Sequence, residues 1–411
     1  MSDQSNNASG KQNPDENLNE NNNINTNPAK LPVYIITGFL GSGKTTLLNH
    51  WVQSEAFRDT LVLINEFGDV GLDHELVQQV DDQVMLLDNG CICCSLQGAL
   101  IDTLSAALAK SRLGRLPAFS RVLIETTGVA DPAGVITTLN NDQFLFDNFY
   151  HAGTVTVMDA KFIRTQLKNQ YEAVKQIALA DLLLISKTDL VDEEEVEEIY
   201  EAARQINPHA RILPVINGEL SPRVLEETGP YRDRDDDVER KLANWLKTPQ
   251  KPQLRLRPVQ ASGHVGEARA QITAHSDISS FSYTYENPIN PVALMNALSA
   301  VAQYFGDSIL RIKGILNLEG QSKPVVVHGI SSGLYPLTEL PAWRTDKPST
   351  RLVFIVKQAV AEPIRAMFER LVEHPDREAL RYYYEQLEAY DAEQQAVSTQ
   401  VLGSKDEAAP A

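Results

Sequence analysis

Through its first half the chain alternates short aliphatic, β-branched runs with longer stretches in which apolar residues recur every three or four positions. The runs fall at Val33–Thr37, Leu61–Asn65, Arg121–Glu125, Thr154–Met158, Asp181–Ser186 and Arg211–Val215. Between them, Leu96–Leu108, Phe162–Ala180 and Glu193–Ile206 have the spacing of amphipathic helices. This rhythm predicts a mostly parallel sheet covered by helices on both faces, an α/β domain. In such a sheet a ligand sits at the carboxyl ends of the strands.

After about Gly229 the pattern changes. A charged stretch from Tyr231 to Arg240 leads into a short helix and then Lys247-Thr-Pro-Gln-Lys-Pro252, which reads as a linker over 230–252. Beyond it, Ser280–Glu286, Ser308–Leu318, Lys323–Ile330 and Arg351–Lys357 read as strands, and Pro291–Tyr304, Glu362–Val372 and Arg377–Leu387 as helices. The expectation is a smaller α+β domain with an antiparallel sheet over 253–390, following a first domain over 31–229. Residues 1–30 read as an Asn-rich, polar tail with no apolar core of a targeting signal, and 391–411 are expected to form a loose end.

Composition narrows the partners. At 411 residues and 43% hydrophobic content the chain can fill two cores. Its net charge of −18 and lack of a basic stripe argue against nucleic acid. No run of apolar residues is long enough to span a bilayer, so the expected compartment is the cytoplasm, with no membrane contact.

The first candidate chemistry is Gly38-Phe-Leu-Gly41-Ser42-Gly43-Lys44-Thr45-Thr46, a G-x-x-x-x-G-K-[ST] phosphate loop between a strand and a helix. Gly41 and Gly43 let the backbone N–H groups turn toward phosphates. Lys44 then reaches the β and γ oxygens, and the Thr45 hydroxyl is placed for Mg²⁺. Glu125-Thr-Thr-Gly128 ends the strand expected beside that loop. There Glu125 can hold the Mg²⁺ water shell and Gly128 can offer its N–H to the γ-phosphate. Ser186-Lys187-Thr188-Asp189 ends another strand, where GTPases carry a guanine motif. Asp189 can accept from guanine N1–H and the 2-amino group, and the Lys187 stem can cover the ring. Ser186 stands where Asn is commoner, so one anchoring amide is missing. Asp131-Pro132 and Asp192–Glu198 read as helix starts without a chemical role.

The second candidate is Cys91-Ile-Cys93-Cys94, which holds every cysteine of the chain. It precedes a helical pattern, and a helix N-terminus favours thiolate, the form that binds metal. Two or three thiolates with a carboxylate, imidazole or water suit Zn²⁺ or another thiophilic ion. Glu66, and with less support Asp69 or His74, can complete that shell, although Glu66 also reads as a plain strand-end carboxylate. His264, His275 and His328 are isolated and read as structural or solvated.

Five segments, at 38–46, 65–68 (Asn-Glu-Phe-Gly), 90–94, 125–128 and 186–189, together resemble the CobW-like metallochaperone GTPases. Arg311-Ile-Lys-Gly314 and Arg351-Leu-Val-Phe354 extend the resemblance into the second domain. It implies phosphate roles for Gly43 and Lys44 and Mg²⁺ roles for Thr45 and Glu125. It further implies guanine contacts for Lys187 and Asp189 and transition-metal roles for Cys91, Cys93, Cys94 and Glu66. The function so implied is slow GTP hydrolysis that gates delivery of zinc or cobalt to a client apo-metalloprotein. The alternative is a regulatory GTPase whose cysteines sense redox state. Client identity and self-assembly into a homo-oligomer are left open.

Overall fold

The computed structural model describes residues 30–64, 84–86, 95–228 and 278–373, apart from 332, 336, 341 and 344–346. The first sheet contains β1 (Leu31–Thr37), β2 (Thr60–Ile64), β3 (Val84–Leu86), β4 (Arg121–Glu125), β5 (Phe149–Asp159), β6 (Leu182–Ser186) and β7 (Arg211–Val215). Their order is β3-β2-β4-β1-β5-β6-β7, and every pairing is parallel. Every residue of β2 and β6 is buried. That is why these strands read as continuous aliphatic runs without alternation: helices cover both faces.

On one face lie α1 (Lys44–Val52) and two 3-10 turns, enclosing Trp51, Phe57, Val62, Leu123 and Val157. The other face carries α2 (Ser95–Arg112), α3 (Pro132–Asn141), α4 (Gln143–Asn148), α5 (Ile163–Asn169), α6 (Tyr171–Leu179) and α7 (Glu193–Ile206). Asp131 caps α3, its side chain accepting from the N–H of Ala133 at 3.0 Å, as its place before Pro132 predicts.

One correction concerns 162–180, expected as a single helix. The apolar stripe 163, 167, 170, 174, 177 would run down one face of a continuous helix, but position 170 is glutamine. The backbone turns extended there (φ −127°, ψ 106°) and two shorter helices bury their own apolar faces. A second correction is the length of β5, whose added residues Phe149–Gly153 pair with β1. The edge strand β3 had no sequence expectation.

The second sheet is antiparallel, as expected. It comprises β8 (Ile278–Tyr285), β9 (Ile309–Leu316), β10 (Val325–Ile330), β11 (Gly333–Leu334), β12 (Thr338–Glu339) and β13 (Thr350–Lys357) in the order β11-β10-β9-β13-β8, with β12 on β10. Helices α8 (Pro291–Phe305) and α9 (Ala361–Glu373) pack with it around Phe281, Leu298, Phe354 and Phe368. Leu310 and Ile355 of this sheet enter the core of α5, α6 and α7, so the two units share buried surface. The expected helix 377–387, the linker and both tails lie outside the described residues.

Candidate nucleotide site at the carboxyl edge of the parallel sheet

The phosphate loop leaves β1 at Gly38, and its shape depends on that glycine. Gly38 has φ +141°, and a Cβ there would sit 2.2 Å from the carbonyl oxygen of Val157. Only glycine meets both conditions. The Ser42 N–H closes a turn on Phe39 O at 3.1 Å, and α1 begins at Lys44.

Lys44 is 8% exposed. Its ammonium donates to Gly38 O at 2.8 Å, so the cation lies folded under its own loop. Burial lowers its pKa, and the nearby Glu125 carboxylate opposes that shift. Beside it the Thr45 hydroxyl donates to Glu125 Oε1 at 3.4 Å, joining the first turn of α1 to the end of β4. A hydroxyl and a carboxylate at one spot are the hard oxygen donors that Mg²⁺ takes. The Ser42 hydroxyl is fully buried and has no partner among the described residues, a polar group left over for an entering ligand.

From β4 the chain runs into Thr126–Ala130, packed on the phosphate loop. Thr126 N–H donates to Ile36 O at 3.0 Å, and its hydroxyl donates to the Thr37 hydroxyl at 2.8 Å. A Cβ on Gly128 would meet Leu40 N at 2.6 Å, so the backbones touch where a γ-phosphate sensor is expected.

The end of β6 supplies the remaining wall. The Ser186 hydroxyl reaches Ser42 O at 2.7 Å and Met158 O at 3.0 Å. The hydroxyl at the position where Asn is commoner thus ties the end of β6 to the phosphate loop. Lys187 adopts the left-handed conformation at φ 58°, uncommon for a residue with a side chain. That turn carries its ammonium back to Gly41 O at 2.8 Å and Asp159 Oδ2 at 2.6 Å. Asp189 follows, exposed, on a 3-10 turn. Sequence reasoning missed Asp159, which is 1% exposed. The available signal was its place as the polar residue closing the aliphatic strand β5.

The structure therefore gathers Gly38, Gly41, Ser42, Gly43, Lys44, Thr45, Thr46, Glu125, Gly128, Lys187 and Asp189 at one sheet edge. Cys91, Cys93, Cys94, Glu66, Asp69 and His74 lie outside the described residues, as do His264 and His275. Among the described residues no group of three or more His, Cys, Asp or Glu side chains is arranged to hold a metal. None of the described helices is long and apolar enough to cross a membrane.

Residues 32–214 match the CobW/HypB/UreG nucleotide-binding domain, and residues 278–372 match the cobalamin synthesis protein CobW C-terminal domain. The chain belongs to the CobW family. It is accordingly a phosphate-loop GTPase. Among its relatives, a zinc chaperone of Escherichia coli, YjiA, is 29% identical over 83% of this chain and 98% of its own length. A zinc-regulated GTPase metalloprotein activator of Schizosaccharomyces pombe is 35% identical over 46% of this chain and 47% of its own. The crystal structure of Zn(II)-bound YjiA GTPase from E. coli superposes with a TM-score of 0.57 at 26% identity, over 84% of this chain and 99% of that one. This CobW-type pairing of a parallel GTPase sheet with an antiparallel second sheet is the architecture expected.

Proposed function

We propose that the protein is a GTP-hydrolysing metallochaperone that binds zinc, or cobalt in its place, at Cys91, Cys93 and Cys94 with Glu66, and hands it to a client apo-metalloprotein. The observation that carries the nucleotide half is the convergence of Lys44, Thr45, Glu125 and Lys187 on one loop. Lys44 exchanges its bond to Gly38 O for the β and γ oxygens, where charge develops as the terminal phosphoryl group leaves. Thr45 and Glu125 would hold Mg²⁺, which would neutralise part of the charge on the phosphate oxygens. Asp189 reads the guanine edge, and Lys187, fixed to Gly41 O and Asp159, lies over the ring. The metal half is supported by the names of the relatives, a zinc chaperone and a zinc-regulated GTPase metalloprotein activator, and by the concentration of all three cysteines in four residues.

The deciding measurement is Zn²⁺ and Co²⁺ affinity with GTP–Mg²⁺, with GDP and without nucleotide, read from the Co²⁺–thiolate absorption band. A nucleotide-dependent shift that vanishes when the three cysteines become serine is expected. Equal, weak binding in every state would leave the regulatory GTPase reading instead.

A further inference from the structure

The loop that carries Gly128 is gripped from the side opposite the phosphate loop. Gln176, on α6 and 1% exposed, points its amide nitrogen at two carbonyls of that loop, Gly128 O at 3.2 Å and Ala130 O at 3.1 Å. Both amide hydrogens are thereby used, while Oε1 is buried without a partner among the described residues. Two acceptors on one side and no donor on the other fix which way the amide faces. The next side chain back, Lys175, pairs with Asp131, which caps α3 immediately after the loop.

Helix α6 is itself held at several points. The Thr156 hydroxyl of β5 donates to Gln176 O at 2.8 Å. The carbonyl of Leu179, in the last turn, accepts from the fully buried Arg311 of β9. The amide is therefore presented from a rigid element braced against two sheets, the condition under which a polar group can fix a loop to within a fraction of an ångström.

We propose that Gln176 is a positioning residue for GTP hydrolysis: it sets the height of the Gly128 segment so that the Gly128 N–H meets the γ-phosphate. The inference rests on the γ-phosphate role given to Gly128 above. GDP lacks that phosphate, so a positioning role acts on the triphosphate alone, whereas a role in holding the fold together weakens both nucleotides alike.

The test uses Gln176→Met, which keeps the side-chain length and removes both donated bonds, beside Gly128→Ala, in the full chain. Affinities for GDP and for a non-hydrolysable β,γ-imido GTP analogue are measured together with kcat for GTP. Gln176→Met is expected to lower kcat and weaken the analogue by roughly tenfold each, with GDP affinity kept within about twofold. Equal weakening of both nucleotides, or of neither, overturns the assignment. If Gly128→Ala alters triphosphate discrimination and Gln176→Met does not, Gln176 loses its role and Gly128 keeps its own. If neither variant alters it, the reading of Gly128 falls as well.

Discussion

In the function proposed above Lys44 carries the chemistry of the loop, and its position makes that role testable. A buried ammonium needs partners, and it finds them in the carbonyls of Gly38 and Phe39. A triphosphate offers full negative charge in their place, so the exchange favours the charge-assisted bond. Lys44→Met removes one partner of that desolvated pair, a truncation that costs about 2–5 kcal/mol. The expected outcome is a fall in kcat/KM for GTP of at least roughly thirtyfold, with Zn²⁺ affinity of the nucleotide-free protein unchanged. Steady-state turnover beside a metal titration measures both, and an unaltered turnover would remove Lys44 from the mechanism. Lys187 is the counterpart at the end of the loop where the proposal seats the base. Its strained backbone is held by bonds from its own ammonium to Gly41 O and Asp159, so one side chain ties the phosphate loop to the ends of β5 and β6.

At the scale of elements, α7 shows sequence and structure in register. Asp192 accepts from the N–H of Glu195 at 2.9 Å, and the Glu195 carboxylate accepts from the N–H of Asp192 at 3.2 Å, a complete capping box. Three acidic residues in the first turn suit the helix dipole. Replacing Asp192 by alanine should cost about 1 kcal/mol, visible as a lower urea midpoint, while GTP turnover stays at the parental rate. A change in turnover would give this acidic run a role that its geometry does not suggest. What was legible follows the same logic. Continuous aliphatic runs gave β1, β2, β4 and β6 because a strand buried on both faces must be apolar throughout. The phosphate loop was readable because it needs glycine and lysine at fixed spacing. The break at Gln170 was hidden because one polar residue in an apolar stripe can equally face a gap. Asp159 and Gln176 were hidden for another reason: their partners, Lys187, Gly128 and Ala130, lie many residues away, and only the pairing of β5 with β6 and the packing of α6 on the segment after β4 bring them together.

Across the whole molecule, the junction between the two sheets is built around a buried charge. Asp181, at the start of β6, accepts from Arg311 and from Lys313, the latter at 2.7 Å, and also from the Thr154 N–H at 3.0 Å. Burial would raise the Asp181 carboxyl, but Arg311, Lys313 and the neighbouring histidines outweigh it and hold the group well below the usual carboxylate range. Lys313 is pushed down to about 8, by burial first and Arg311 next, against the pull of Asp181. Around this triad His328 stacks on Tyr335 with centroids 4.5 Å apart, and His151 Nδ1 meets the Tyr335 hydroxyl at 3.0 Å. With two cations already sharing one carboxylate, a third positive charge is costly. Burial, reinforced by Arg311 and Lys313, lowers His151 to about 4 and takes His328 well below its ordinary value. His209, partly exposed, is lowered to about 4 by burial and the same two cations, and contributes less because solvent screens it. The sign follows from proton counting. Below pH 6.5 the unfolded chain binds protons on these histidines and the folded one refuses them, so folding weakens as pH falls from 6.5 toward 4. His151 alone then removes about 2 kcal/mol between pH 7.5 and pH 5, from about 1.4 kcal/mol for each unit of separation. Urea unfolding across that range should show a falling midpoint, and His151→Gln should flatten the slope, since glutamine keeps a polar side chain that cannot take the proton. An equally steep slope in the variant would mean that the acid sensitivity lies elsewhere and that the junction tolerates a charged His151.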